Sequence, residues 1–202
     1  TTQDLRNPYA GAVSGAVQRA TLPKPAFSMG LEMRPVHLAL TILQNRLGLV
    51  PRPSWCTYLV TYRCNARCKM CDSWRMKPGE ELTVPQVREV FEKIGRLDIV
   101  RLSGGEPFLR PDMLEIAETI LDVSQPSVVH ITTNGSFPDR VEDFARRFSA
   151  PRRLRFMVSF DGAKEEHDAN RGPDVLFDYA YETCRRLMAL RSTRGLGHSF
   201  RH

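Results

Sequence analysis

From Trp55 onward, segments typical of β-strands alternate four times with segments typical of amphipathic helices. The strand segments are short and rich in aromatic and β-branched residues, and they cover residues 55–62, 99–102, 128–132 and 154–159. Strands that alternate with helices of this length predict a parallel sheet with right-handed crossovers. The sequence therefore predicts an α/β fold, whose sheet is either open or curled into a barrel.

The helical segments are marked by apolar residues at intervals of three and four. The first begins at Thr83, where Pro85 and Gln86 complete a capping-box start. The positions that define the four helices are Val87, Val90, Phe91 and Ile94; Met113, Ile116, Ala117 and Ile120; Val141, Phe144, Ala145 and Phe148; and Phe177, Tyr181, Cys184 and Met188.

The first 52 residues lack this alternation and contain prolines and glycines throughout, with only residues 37–50 patterned as a helix. The domain prediction is therefore an N-terminal, partly helical extension over residues 1–52 and a main domain over residues 53–202. Hydrophobic residues make up 42% of the 202, which is enough for one sizeable core. No apolar run approaches the length needed to cross a bilayer, so we expect no membrane association.

Polar or glycine-rich clusters follow each of the four predicted strands. Three cysteines follow the first strand, and residues 103–107, 133–135 and 159–162 follow or end the others. In parallel α/β folds, ligands bind at the carboxyl ends of the strands, because the loops converge there. We therefore expect the four clusters to line one pocket.

Cys64, Cys68 and Cys71 lie within eight residues, while Cys56 and Cys184 stand alone as expected core thiols. Cysteines this crowded favour a metal over disulfides and indicate a reducing compartment, so the predicted location is the cytoplasm. Three thiolates would leave one iron of a four-iron cluster open, as a catalytic centre requires. The alternative at this point is a zinc site completed by a distant histidine, His130 or His167.

The chain carries 29 basic and 23 acidic residues, a net charge of +6. Six arginines cluster between residues 140 and 155, and such a cluster can attract phosphate groups. No aromatic platform of the kind found in single-strand nucleic-acid binders interleaves the cluster, so we expect a solvated helix face and loop and no nucleic-acid partner. The cluster comprises Arg140, Arg146, Arg147, Arg152, Arg153 and Arg155.

Three motifs in order resemble the radical S-adenosylmethionine (radical SAM) superfamily over residues 55–190. The cysteine run 64–71 reads CNARCKMC, and residues 103–107 read SGGEP directly after the second strand. Residues 159–162 read SFDG, with His167-Asp168 and Arg171-Gly172 following. This last segment is similar to that of the peptide-modifying and molybdopterin-precursor branches, and the three motifs together favour iron over zinc.

The resemblance implies that Cys64, Cys68 and Cys71 ligate three irons of a 4Fe-4S cluster, with S-adenosylmethionine (SAM) on the fourth. Cofactor contacts are implied for residues that the family's motifs match, where Gly104 and Gly105 would let the backbone approach the methionine moiety. Glu106 and Ser103 would lie beside its ammonium group, Ser159 and Arg171 would hold its carboxylate, Thr133 and Asn134 would face the ribose, and Met70 would pack on adenine.

The resemblance further implies an enzyme that cleaves SAM reductively and uses the 5′-deoxyadenosyl radical to abstract hydrogen from a substrate. The implied partners are a small-molecule or peptide substrate and an electron donor such as flavodoxin or ferredoxin. Because the family's partial (β/α) barrel usually has six units, we expect a barrel truncated after four, with at most the start of a fifth strand in residues 191–202. A non-catalytic cluster-binding or SAM-binding module is the alternative.

Overall fold

The computed structural model describes residues 43–44, 46–47, 53–77, 79–172 and 174–196. Four strands form one sheet in the order β1-β2-β3-β4, and every neighbouring pair is parallel. The strands are β1 (Trp55–Thr61), β2 (Ile99–Gly104), β3 (Val128–Thr133) and β4 (Leu154–Val158). The predicted parallel α/β architecture is confirmed, and each predicted strand boundary lies within two residues of the observed one.

Five helices connect or follow the strands among the described residues: α1 (Val84–Ile94), α2 (Met113–Ser124), α3 (Pro138–Arg147), α4 (Lys164–Arg171) and α5 (Leu176–Arg194). Helix α1 begins as predicted, because the backbone N–H of Thr83 donates to the side chain of Gln86 at 2.9 Å. Helix α4 was not predicted. It is short and polar, and it buries only His167 and Asp168, so it lacks the apolar periodicity that marks the other helices.

Within the described ranges, the helices cover one face of the sheet and leave the other face open. Alternate strand residues such as Leu102, Ile131 and Phe156 are buried in a core shared with the helices. Their neighbours along the strands, which include Thr57 and His130, are exposed or half-buried. Side chains alternate between the faces of a strand, so all the hydrophobic packing of the helices falls on one side.

The residues that marked α5 in the sequence are not those that it buries most deeply, although Cys184 packs against the core as expected. Tyr181 and Met188 are 62% and 56% exposed. The residues that pack inward form the adjacent stripe: Leu176, Ala180, Thr183, Leu187 and Leu190. Both stripes have helical spacing, and only the position of the helix on the sheet decides between them. The helix also continues to Arg194, so the first residues of the predicted fifth-strand region are helical.

Two predictions fall partly or wholly outside the described residues. Leu43, Gln44 and Arg46 are helical, within the predicted helix 37–50, and the rest of that segment is not described. The boundary between the extension 1–52 and the main domain therefore stays a prediction. No helix in the described ranges is both long enough and apolar enough to span a membrane.

The basic cluster of residues 140–155 is divided among several partners. Arg146 and Arg147 pair with Glu142 and Asp143 one turn earlier on α3, at 2.6 and 3.0 Å. Such exposed pairs are typical of the solvated helix face that we expected. Arg155 lies apart from them, on the open face of the sheet, because its neighbours Leu154 and Phe156 are buried on the covered face.

Candidate active site

The turn after β2 packs directly against the exit of β1. The backbone N–H groups of Gly105 and Glu106 donate to the carbonyl oxygens of Thr61 and Arg63, both at 2.8 Å. A Cβ atom on Gly104 would lie 2.1 Å from the Thr61 oxygen, and one on Gly105 would lie 2.2 Å from the Arg63 oxygen. These glycines are therefore required for the contact between two strand ends, whatever ligand lies beyond them.

Glu106 is completely buried, and protein donors already occupy both oxygens of its carboxyl group. Its Oε1 accepts from the Thr133 hydroxyl at 2.8 Å and from the Phe108 N–H at 3.1 Å. Its Oε2 accepts from the Asn134 N–H at 2.7 Å. Burial raises the pKa of Glu106 to about 7, against the lowering effect of these donors. The carboxyl group thus joins the ends of β2 and β3.

The turn after β3 contacts the cysteine loop, by which we mean residues 64–75. The side-chain amide of Asn134 donates to Asn65 Oδ1 at 2.9 Å and lies 4.0 Å from the sulfur of Cys64. Asn65 in turn donates to the hydroxyl of Ser136 at 2.9 Å. The end of the third strand and the first cysteine are therefore parts of one site.

Helix α4 holds the middle of the cysteine loop through main-chain bonds. The N–H of Arg67 donates to the carbonyl of Arg171, and the N–H of Lys69 donates to that of Asn170, both at 2.8 Å. These bonds use carbonyls at the carboxyl end of the helix, which have no partner within it. Helix α4, which was not predicted, therefore supports the cysteine loop on both sides of Cys68.

The three cysteines of the loop are free thiols, with Cys64 and Cys68 half-buried and Cys71 exposed. Burial raises the pKa of both half-buried thiols, and neighbouring cysteines of the loop raise it further. Three soft sulfur donors on one loop suit an iron–sulfur cluster. In the described ranges no three His, Cys, Asp or Glu side chains already stand in a metal-holding arrangement, so the ligand role of these cysteines stays a prediction.

Arg171 lies beside this loop with its guanidinium already engaged. Its Nε and one terminal nitrogen each donate to an oxygen of Asp161 at 2.8 Å, and both side chains are largely buried. Its charge lowers the pKa of Cys68, against the larger effect of burial. Asp168, three residues earlier on α4, accepts from the N–H of Phe177 at 2.9 Å.

His167 contacts the start of the segment 159–172, at Asp161. It is fully buried among the rings of Phe160 and Phe177, and its Nδ1 accepts from the Asp161 N–H at 3.3 Å. In the part of the chain that the structure describes, its Nε2 has no hydrogen-bond partner. Burial lowers the pKa of the imidazole, which favours its neutral form. The structure thus gives His167 a place in the packing against Phe160 and Phe177.

The remaining candidates differ in how firmly they are held. Thr133 is buried, and its hydroxyl accepts from the Gly135 N–H at 3.0 Å as well as donating to Glu106. The Ser159 N–H donates to the Thr133 carbonyl at 3.0 Å, which places Ser159 at the same edge. Ser103 is half-buried at the end of β2, and Met70 is 63% exposed on the cysteine loop.

Two residues of the site were not singled out by the sequence. Asn65 bridges the first cysteine to the β3 turn, and Asp161 orders Arg171. Both stand inside quoted motifs, but nothing in the linear sequence shows which side chain meets which. The Gly172 cap and the acidic first turn of α4 were the signals that could have indicated this helix and hence its contacts.

One family model and several known proteins match more than half of the chain. The family model described as the Radical SAM superfamily matches residues 58–198. The chain is 34% identical over 140 residues to pre-heme d1 synthase of Dinoroseobacter shibae, covering 63% of this chain and 32% of that protein. It is 32% identical over 143 residues to mycofactocin maturase MftC of Mycobacterium tuberculosis, covering 68% and 35%. The chain thus spans about a third of each relative.

Solved structures show the same fold at low sequence identity. Native anSMEcpe with bound AdoMet superposes with a TM-score of 0.55 at 20% identity, over 72% of this chain and 43% of that one. Streptococcus suis SuiB bound to S-adenosylmethionine superposes with a TM-score of 0.53 at 13% identity, over 78% and 41%. The four-stranded sheet is therefore part of a partial barrel, and the chain belongs to the radical SAM superfamily, which uses a 4Fe-4S cluster and S-adenosylmethionine.

Proposed function

We propose that this chain is the catalytic core of an enzyme that cleaves S-adenosylmethionine reductively to start radical chemistry on a substrate. The observation that carries the proposal is that the turn after β3 and helix α4 both lie next to the cysteine loop. The Asn134 amide, at the end of β3, lies 4.0 Å from the Cys64 sulfur, and Arg171, on α4, acts electrostatically on Cys68. A cofactor beside the cysteines would therefore be within reach of both groups.

The cysteine loop would hold the cluster through Cys64, Cys68 and Cys71. A cluster held there would supply the one electron needed for reductive cleavage of SAM at the bond between sulfur and the 5′ carbon, with methionine and a 5′-deoxyadenosyl radical as the products. The chain's own residues position the second cofactor. Arg171 retains one terminal nitrogen beyond its two bonds to Asp161, and a guanidinium donor of this kind suits a carboxylate.

The buried Glu106 would act by holding other groups in place. Its two oxygens fix the backbone of Asn134 and the hydroxyl of Thr133, which stand at the edge where the ribose is expected. Gly104 and Gly105 keep this edge close to the start of the cysteine loop. The strand ends are thus organised before any ligand binds, which lowers the entropic cost of binding.

The proposed activity requires a substrate and an electron donor. The relatives include a maturase by name, and SuiB has been solved bound to precursor peptide SuiA. We therefore propose a peptide or a small molecule as substrate, and a flavodoxin or ferredoxin as electron donor. The cytoplasm remains the proposed location, because free crowded thiols suit a reducing compartment.

Release of 5′-deoxyadenosine tests the proposal. The full chain, reconstituted anaerobically with iron and sulfide, should release it slowly from SAM when a strong reductant is added. The Cys68→Ala variant should release none, whereas Cys184→Ala, which alters a half-buried thiol on α5, should match the parent. Formation of a cluster without any 5′-deoxyadenosine would favour the second candidate, a module that binds the cluster without turnover.

A further inference from the structure

The open face of the sheet carries a row of nitrogen-rich side chains across its middle. By strand register, Thr57 pairs with Arg101, Arg101 with His130, and His130 with Arg155. Each of the last three is half-buried, and each lies between residues that point into the core on the other face. Three adjacent strands thus present two guanidinium groups with an imidazole between them.

Arg101 is held in a fixed position by uncharged groups. Its Nε donates to Nδ1 of His130 at 3.2 Å, and its guanidinium lies 5.6 Å from the centre of the Trp55 ring. Nδ1 of His130 therefore accepts, which places the proton of a neutral imidazole on Nε2. The contacts with the ring and the imidazole order the cation without neutralising it.

Arg155 is likewise ordered without a carboxylate. One terminal nitrogen donates to the carbonyl oxygens of Arg152 and Leu154, at 2.6 and 2.9 Å. Within the described ranges, neither Arg101 nor Arg155 forms an ion pair. Partly buried cations without counter-charges are costly, and an oxyanion that accepts from a guanidinium fork would offset that cost.

The row lies just beneath the candidate active site. Arg101 precedes Ser103 by two residues on β2, which corresponds to about 7 Å along the strand. A ligand anchored at the row would extend along the open face toward the carboxyl ends of the strands. There it would meet the same edge at which Asn134 and Ser159 lie.

We propose that Arg101 and Arg155, which stand on either side of His130 in the strand register, bind an oxyanion group, a carboxylate or a phosphate, of the substrate. The proposal rests on the proposed function, because only an enzyme has a substrate. Binding of the anion can nevertheless be measured without turnover. Arg101 and Arg155 would then be specificity-determining residues, since they select substrates that carry such a group at the end remote from the reacting carbon.

Calorimetric titration of the reconstituted full chain tests the site. Two probes, pyrophosphate and the tricarboxylate tricarballylate, are titrated separately at constant ionic strength, so that the tighter one distinguishes phosphate from carboxylate recognition. We expect at least one probe to bind, with affinity reduced tenfold or more in Arg101→Gln and in Arg155→Gln. Arg147→Gln, which removes an exposed arginine paired with Asp143, is the matched control and should bind like the parent.

Arg171→Gln separates this site from the cofactor site. Probe binding that survives in Arg171→Gln and is lost in Arg101→Gln places the anion on the sheet face. Binding of neither probe, equal binding by Arg101→Gln and the parent, or loss only in Arg171→Gln would overturn the inference. Failure of the proposed function appears separately, as absent 5′-deoxyadenosine in a chain that still binds the probe.

Discussion

The two halves of the candidate site are built in different ways. The strand-end turns, residues 103–107 and 133–136, are largely buried and joined by side-chain hydrogen bonds centred on Glu106. The cysteine loop is more exposed, and its middle is held by two main-chain bonds to α4. The turns are thus organised by the protein itself, whereas we expect the thiols to take their final arrangement from the cluster that they would bind.

The largest expected effect is on the loop side of this comparison. Cys68→Ala should abolish the iron–sulfur cluster, because two remaining thiolates cannot hold it with an open corner. The measurement is iron and sulfide content, together with visible absorbance, after anaerobic reconstitution. Cys184→Ala is the control and should retain the full content. Stoichiometric zinc in the parent protein, without visible absorbance, would refute the iron assignment.

The next effect concerns the pH dependence of the buried carboxyl group. The pKa of Glu106 is raised from its ordinary value of 4.5 to about 7, so the folded state holds this proton more tightly than the unfolded state. The stabilisation is therefore fully present below pH 4.5 and is lost as the pH rises through 7. Its size is on the order of 3 kcal/mol.

Urea unfolding of the cofactor-free chain at pH 5 and pH 8 measures this loss. Glu106→Gln cannot ionise, so its free energy of unfolding should fall less between the two pH values than that of the parent. His167 titrates in both proteins and cancels in the comparison. Glu89→Gln, which alters an exposed carboxylate paired with Lys93, should behave like the parent. A parallel fall in Glu106→Gln would contradict the burial account.

A smaller effect is expected where the turn after β2 contacts the backbone just before the cysteine loop. In Gly105→Ala the new Cβ would collide with the carbonyl of Arg63, which is main chain and cannot rotate away. We expect a loss of about 1–3 kcal/mol in the free energy of unfolding, as for other overpacked sites. Gly79→Ala, where nothing lies within 4 Å, is the matched control. Equal stability of the two variants would show that the strand ends tolerate separation.

The smallest expected effect concerns Asp161, the ion-pair partner of Arg171. Asp161→Asn removes the charged partner of Arg171 while preserving its shape. The affinity for SAM should fall roughly tenfold, which is the size expected for loss of an orienting neighbour. Anaerobic binding titrations would measure this, with Asp178→Asn, an exposed partner of Lys164, as the control. Tighter SAM binding in Asp161→Asn would mean that Asp161 competes with the cofactor.

The sequence predicted the sheet well because its signals are local. Strand β3, for example, is a run of β-branched residues between turn-forming ones, and the capping residues before α1 act within one turn. The inward face of α5 was mispredicted because two stripes satisfy the same periodicity. Helix α4 was missed because it has little apolar periodicity of its own and is held by tertiary contacts. The carbonyls of its last residues accept hydrogen bonds from the cysteine loop.

The site followed the same division. The motif order brought Cys64, Glu106 and Asn134 to one edge, as parallel strands require. The protein partners of individual side chains could not be predicted, and the three donors that surround the Glu106 carboxyl group are an example. A carboxylate in a motif has the same letter whether it meets a ligand or a backbone N–H.

The central claim is that the cysteine loop and the strand-end turns act together on one cofactor pair. The most direct test is the electron paramagnetic resonance spectrum of the reduced, reconstituted chain, recorded with and without saturating SAM. The account predicts a cluster signal that SAM changes, and a weaker change in Arg171→Ala at equal iron content. A cluster signal that saturating SAM leaves unchanged would contradict it.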